Sequence, residues 1–378
     1  MSEKLENMAA FLEAYRKRRI AVLWDDSSVA GRAVLISPAQ DISASCVNTL
    51  VALTGGLPFV AVTPTRATAF MLSKMSRPAL HPSPQSQLSD DYLNICVSVE
   101  AREGVSTGIS AADRAATIRV LGEEQPNPRK LVKPGHIFPV ETRSGGVLVK
   151  NALPEGACDI SRISGYTDAA VFLDLLDVRG DFLAPHGQEQ LCAANDIPRI
   201  ALSELTRYRL SSESLVHRIA EAKLPTQLAG ELRSLIFKSS IHEGEHLALI
   251  KGEIDPDKPV LTRVQTEFTF ADVFGGSTPP SRSTLHRALK AIGDNGSGVL
   301  VYLRRPSFGE LCRQISDSAV SQKPAAIMRD YGLGAQILRD LGVRKVELLT
   351  GSKKNLVGIR PFGIEIVSQR EIPNEKDT

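Results

Sequence analysis

The stretch GVSTGISAADR, residues 104–114, sets two glycines, three hydroxyl side chains and an Asp-Arg pair in eleven positions. Ser106, Thr107 and Ser110 can donate hydroxyl hydrogen bonds, and glycine lets main-chain N–H groups close on an oxyanion, so the loop suits a phosphate. The same letters also suit a turn that caps the next helix through Ser110, with Asp113 paired internally. Both readings stand on spacing alone. HEGEH, residues 242–246, matches the HExxH zinc-protease pattern in its letters. That chemistry needs a helix, so that both histidines share one face. Gly244 interrupts the motif and LALIKGEI behind it reads as a strand, which predicts loop and strand rather than a zinc centre. DYGLGAQILRDLG, residues 330–342, has a GxG expected to open a helix. Such a start suits an anion or plain packing equally, and no acidic residue follows at dinucleotide-binding spacing.

Alternating elements must hold these residues. RIAVLWDD reads as a buried strand running into an acidic pair, AGRAVLIS as its partner, and GLPFVAVT as a third strand. Residues 45–53 suit a helix, and YLNICVSVEA leads as a strand into the loop at 104. The polar, proline-bearing RPALHPSPQSQLSDD, residues 77–91, reads as a mobile loop. Farther on, AAVFLDLLD is a strand and GQEQLCAANDI a helix. The second half begins with GELRSLIFKSS and HLALIKGEI and passes two strong strands, GVLVYLRR and VRKVELLTG. The polar, helix-prone stretch 210–226 separates the two patterns. The expected fold class is mixed α/β in two domains, residues 1–210 and 226–370, with a linker at 211–225 and a charged tail at 371–378.

Composition bounds the function. The 378 residues suffice for two domains, and 42% hydrophobic with 23% charged residues is a globular balance. A formal charge of +2 gives no global field for nucleic acid, and the local run Arg16, Lys17, Arg18, Arg19 reads as a solvated helix face. Five scattered cysteines, Cys46, Cys96, Cys158, Cys192 and Cys312, include no CxxC pair, which points to free thiols in a reducing compartment. The N-terminus reads as an amphipathic helix, not a signal peptide, and no run approaches the roughly 18 apolar residues that a membrane span needs. A cytoplasmic protein with no membrane or nucleic-acid partner is expected.

Taken together, GVSTGISAADR, KPGHIFPV (133–140) and GGVLVK (145–150) resemble 3,4-dihydroxy-2-butanone 4-phosphate synthase. RIAEAKLPT, EHLALIKGEI and MRDYGLGAQILRDLGVRKVELLT resemble GTP cyclohydrolase II. The chain is therefore similar, over nearly its whole length, to the bifunctional riboflavin-biosynthesis proteins that fuse these two enzymes. The resemblance implies two formate-releasing reactions. The first works on ribulose 5-phosphate with a divalent cation, usually magnesium; the second opens the imidazole ring of GTP with water activated on a zinc held by three cysteines.

Several of the positions that the resemblance assigns to chemistry carry other residues. The family continues its acidic pair as E-D-R-E-N-E-G-D; here Asp25 and Asp26 are followed by SSVAGRAV. Val29 takes the place of the arginine, Ala30 and Arg32 of the two later glutamates, and Val34 of the final aspartate. The histidine of G-H-T-E-A falls at Leu153, while Glu155 matches the glutamate. Lys150 stands for a phosphate-binding arginine, and Asp174 for a glutamate. In the second half the zinc cysteines fall at Phe268, Pro279 and Ser281, with Glu267 and Asp272 keeping the register. The run R-Q-E-G-R keeps only Arg304, Ile327 replaces an aspartate before the matching Arg329, and T-N-N-P-x-K keeps Thr350 and ends on Asn355.

These substitutions predict a catalytically degenerate homologue, a binding, scaffolding or regulatory protein without bound magnesium or zinc. Its expected partners are a sugar phosphate and a second chain, in a homodimer or in a mixed dimer with an active homologue. The alternative is an enzyme of altered, metal-independent chemistry on a phosphorylated sugar, or one with residual riboflavin-pathway activity in one domain. The candidate acid-base and catalytic residues are Asp25, His136, Glu155, Asp174 and Arg329. Ser106, Thr107, Ser110, Asp113 and Lys150 are the phosphate candidates, Arg304 and Thr350 the nucleotide candidates, and no residue is assigned to a metal.

Overall fold

The computed structural model describes residues 2–27, 31–75, 94–240, 244–276, 281–304, 311, 324–350 and 364–373, with backbone alone for 2–6 and 324–331. The chain forms two compact units, Met1–Tyr208 and Arg209–Thr378. Each is a mixed α/β layer structure around its own sheet, of seven strands among the described residues, as the alternating patterns predict.

In the first unit the strands β1 (Ala21–Trp24), β2 (Ala33–Pro38), β3 (Phe59–Val62), β4 (Val99–Ala101), β5 (Leu131–Glu141), β6 (Ala169–Asp174) and β7 (Arg199–Ala201) take the order β4-β5-β3-β6-β2-β1-β7. The central strands are short apolar runs buried on both faces, the pattern of a sheet covered by helices on each side. Helix α1 (Ser2–Arg18) opens the unit and α3 (Pro64–Ala69) follows β3; one cover contains α2 (Ala44–Thr54) and α4 (Ala111–Leu121), which pack against each other. Ser43 starts α2 by accepting the Cys46 N–H, and Gly55, at φ +63°, ends it in the left-handed conformation that glycine takes without cost. The other cover contains α5 (Leu153–Ile163), packed on β1, β2, β3 and β6.

Register fixes what this sheet presents. Phe59 of β3 lies level with Phe138 of β5 and with Phe172 of β6. The three rings form a row, with centroids 6.0 Å and 5.5 Å apart. Because β6 runs antiparallel to β3 and β5, two residues beyond Phe172 and two residues before Phe138 lead to the same end of the sheet. Those residues are Asp174 and His136. The antiparallel hairpin of β1 and β2, with Trp24 opposite Ala33 and Val34 opposite Asp174, delivers Asp25 and Arg32 to that end as well.

The second unit holds β8 (Val216–Thr226), β9 (Gly230–Ser239), β10 (Glu245–Lys251), β11 (Val260–Thr266), β12 (Gly298–Leu303), β13 (Lys345–Thr350) and β14 (Glu365–Glu371), in the order β14-β13-β11-β12-β10-β9-β8. Neighbours β14-β13, β13-β11 and β11-β12 are parallel, and the rest antiparallel. Leu232, Leu249, Leu261, Leu300 and Leu349 pack with Ile292 of a covering helix as its core.

Three expectations change here. The segment 211–225 is not a linker: its start closes the helix Leu202–Ser212, and most of the rest is the edge strand β8, paired along its length with β9. Its exposure on nearly every residue is what made it read as polar connecting chain. The GxG at 332–334 does not open a helix, because it lies inside the helix Pro324–Asp340. Added Cβ atoms would sit 2.8 Å from Leu210 at Gly332 and 2.9 Å from Val264 at Gly334, so these glycines serve close packing. The basic run at 16–19 is also more than a solvated face. Arg16 donates to the Ser164 carbonyl, Arg18 pairs with Asp196, and Arg19 donates to the Gln40 carbonyl and lies 5.2 Å over the Tyr166 ring. The proline-bearing stretch 77–91 lies outside the described residues.

Candidate functional site

The best-defined arrangement pairs His136 with Glu100 across β4 and β5. Glu100 is buried on the edge strand, and its Oε2 lies 2.7 Å from His136 Nδ1 while also accepting the His136 backbone N–H at 3.2 Å. Its Oε1 accepts the Thr117 hydroxyl of α4 at 2.7 Å. An oxygen that already accepts from a backbone N–H is an acceptor, so Nδ1 is the donor, which in the neutral tautomer leaves the lone pair to Nε2. The ring itself is half-exposed. Gly108, at φ +77°, closes over the pair so tightly that a Cβ there would overlap both the carboxylate and the imidazole. Sequence reading found His136 and missed Glu100. The available signal was a lone acid in the otherwise apolar run VSVEA.

The loop at 104–114 turns its donors inward. Asp113 Oδ2 accepts the Ser106 hydroxyl at 3.1 Å, the Thr107 and Gly108 N–H groups at 3.1 and 3.0 Å, and faces the Thr107 hydroxyl at 3.5 Å. Ser110 caps α4 by accepting the Asp113 N–H at 3.1 Å. Burial raises the Asp113 pKa, but the bonds from Ser106, Gly108 and Thr107 outweigh it and hold the carboxyl below its usual value. The oxyanion in this nest is therefore a side chain of the protein itself.

Asp25, Asp26, Arg32 and Asp174 form a second group at the same sheet end. Asp25 accepts the Ser27 N–H and hydroxyl, and Asp26 accepts the Ser203 N–H and hydroxyl at the start of the helix Leu202–Ser212. Arg32 Nη2 donates to Asp174 Oδ1 at 2.8 Å, and the Phe182 ring stacks 4.7 Å from its guanidinium carbon. Lys150 precedes Asn151, whose Oδ1 accepts from Thr206, one turn along the helix that holds Asp26. Glu155 is not brought to His136. It is buried in the first turn of α5 and accepts the Arg143 N–H, just past the far end of β5.

In the second unit, polar side chains gather where the parallel strands β11, β12 and β13 end, the side on which open α/β sheets bind ligands. Glu267 follows β11, and Arg304 follows β12 with its Nε 4.0 Å from the Glu267 carboxylate. Its backbone N–H donates to Nδ1 of the buried His246 on β10, which settles HEGEH as strand from residue 245 onward. Thr350 ends β13, buried. Sequence reading missed Tyr302, which donates to Asp272 at 2.6 Å; burial first, then that carboxylate, raises its pKa. Phe268 donates its N–H to Asp272, and the Ser281 hydroxyl accepts from Gln265 at 2.8 Å. Val29, Ala30, Pro279, Asn355, Cys312 and His242, with the side chains of Ile327 and Arg329, lie outside the described residues. Cys46, Cys96, Cys158 and Cys192 are free thiols with pKa values raised chiefly by burial. Among the described residues no helix is long and apolar enough to cross a membrane.

Comparison with known proteins follows this two-unit division. Residues 9–208 match the family model of 3,4-dihydroxy-2-butanone 4-phosphate synthase, and residues 217–371 that of GTP cyclohydrolase II. The riboflavin biosynthesis protein RibBA of Chlorobium phaeovibrioides is 31% identical over 97% of this chain and 91% of its own length. RibBA of Aquifex aeolicus is 30% identical over 98% and 93%. A monofunctional riboflavin biosynthesis protein of Arabidopsis thaliana, RIBA 2, is 36% identical over 71% of this chain and 58% of its own length. A solved structure, RibBX from A. baumannii, described as a two-domain 3,4-dihydroxy-2-butanone 4-phosphate synthase, superposes with a TM-score of 0.76 at 23% identity over 97% of this chain and 99% of that one, which shows a shared fold. These relatives correct the expectation of a degenerate binding or scaffolding protein. Chains 30–36% identical over most of this sequence are named for riboflavin biosynthesis, and a catalytically active member accords with them better.

Proposed function

The chain belongs to the riboflavin biosynthesis proteins that join a 3,4-dihydroxy-2-butanone 4-phosphate synthase unit to a GTP cyclohydrolase II unit, and from that membership we propose a catalytically active enzyme whose first unit converts ribulose 5-phosphate with release of formate. The observation that carries this reading is the Glu100–His136 pair under Gly108. His136 Nε2 takes the proton from the carbon beside the sugar's carbonyl, the electron pair moves to the carbonyl oxygen, and Glu100 holds the resulting imidazolium through Nδ1–H. The half-exposed ring gives the sugar access, while the buried carboxylate fixes its angle. The phosphate contacts proposed are Lys150 and the outer rim of the 106–110 loop, whose inner donors serve Asp113. Asp25 and Asp174 are polar walls of the same sheet end, and Arg304 and Thr350 are the side chains proposed to meet a nucleotide in the second unit.

The metal ions that the family implies are a poor fit to the residues present. At the end of β6 the Asp174 carboxylate is engaged by the Arg32 guanidinium, and a guanidinium repels a divalent cation. In the second unit the Phe268 side chain has no ligating atom, and the Ser281 hydroxyl accepts from Gln265. No step is routed through a metal, and the proton transfers rest on side chains. The test is formate release from ribulose 5-phosphate by the full chain and by His136→Asn. Release by the wild type and a loss of about a hundredfold or more in the variant is expected. Equal rates in the two proteins would contradict the assignment of His136.

A further inference from the structure

We propose that the Arg32 guanidinium is a built-in cation: it supplies, inside the substrate site of the first unit, the positive charge that a divalent ion would otherwise bring. Arg32 leads into β2 and Asp174 ends β6, and their side chains meet at 2.8 Å with only 16% and 13% of their surfaces exposed. Phe182 lies on the guanidinium at 4.7 Å, within range of a cation–π contact. A guanidinium is charged at every pH the protein meets, and its planar fork loses little freedom when one edge is fixed. Asp174 and Phe182 therefore hold a permanent positive charge in one orientation.

The charge count explains why an arginine belongs here. By resemblance both positions would be glutamates, and two facing carboxylates repel unless a cation lies between them. Two carboxylates and one divalent ion sum to zero; one guanidinium and one carboxylate also sum to zero. The Arg32–Asp174 pair is thus neutral with the chain's own residues. Its place in the sheet gives the charge a use. Carried two residues past the paired Phe138 and Phe172, the register brings His136 and Asp174 to one sheet end, about 10 Å apart at two interstrand spacings. A five-carbon sugar phosphate spans that gap. Proton removal by His136 puts negative charge on the sugar's carbonyl oxygen, and a positive group fixed in advance stabilises that charge without reorganising. The inference deepens the proposed function, because it rests on this sheet end being the substrate site.

The experiment gives position 32 the charge that the resemblance implies. Arg32→Glu in the full chain is melted with and without magnesium chloride, beside the wild type. The expected result is a melting temperature several degrees higher with magnesium for the variant alone, abolished when Asp174→Asn is added. A wild type stabilised by magnesium as much as the variant, or a folded variant indifferent to magnesium, would overturn the proposal. Should Arg32→Glu not fold, Arg32→Gln is titrated with ribulose 5-phosphate by calorimetry. Affinity at least tenfold weaker supports a substrate-facing charge, and unchanged affinity, the mark of a purely structural ion pair, overturns it. Formate release is read separately. Its absence in the wild type would remove the enzymatic reading while leaving the magnesium result to stand or fall by itself.

Discussion

At the scale of single residues, the first unit spends its polar groups on one another in a specific order. The donors at 106–108 hold Asp113, Thr117 holds Glu100, and Glu100 holds His136. Removing any upstream member should reach the histidine. Glu100→Gln keeps the shape but can offer an amide N–H where Nδ1–H needs an acceptor; it should lower turnover by about tenfold or more with little change in KM, read by steady-state kinetics. Gly108→Ala combines a positive φ with overlap of both partners, and should lose both activity and melting temperature. Asp113 sets a pH dependence. Its folded pKa lies below the unfolded one, so its contribution is full above the unfolded carboxylate range and is lost as pH falls through the folded value. Asp113→Asn should therefore melt several degrees below the wild type at neutral pH, and the gap should close in acid. A gap that stays constant with pH would assign the effect to shape instead of charge.

At the scale of elements, periodicity revealed most of the fold, because short buried strands and capped helices are local facts. AVLW, AVLISP and AAVFLD are apolar runs between polar breaks, and Ser43 and Gly55 mark the two ends of α2. What stayed hidden depends on register between distant strands. Nothing local says that Arg32 will face Asp174, 142 positions away, or that Glu100 will reach His136. The edge strand β8 was hidden for another reason: exposed on nearly every residue from His217 to Pro225, it carries little apolar signal. The glycines of GLG read as a helix start because a glycine needed for close packing looks the same in sequence as one needed for a turn. One glycine tests the sheet directly. A Cβ at Gly135 would overlap the Val99 carbonyl on the neighbouring strand, so Gly135→Ala must push β4 from β5. A loss of about 3 kcal/mol in a denaturant melt is expected, together with loss of the His136 contact.

At the scale of the whole molecule, two sheets, each of seven strands among the described residues and each with its own core, divide the chain at residues 208 and 209. The family matches fall on either side of that division, at 9–208 and 217–371. The proposed chemistry lies wholly in the first of these, since Glu100, His136, Arg32 and Asp174 all belong to its sheet. Substitutions beside Arg304 in the second unit, such as Tyr302→Phe, should therefore leave turnover of a sugar phosphate within about twofold of the wild type, although the half-buried bond to Asp272 is lost at a cost of about 1 kcal/mol in stability. The measurement that bears most directly on the account is formate release from ribulose 5-phosphate by the purified full chain, set against His136→Asn. The account predicts steady release by the wild type and a rate about a hundredfold lower in the variant; no release by a folded wild type, or release that His136→Asn leaves intact, would contradict it.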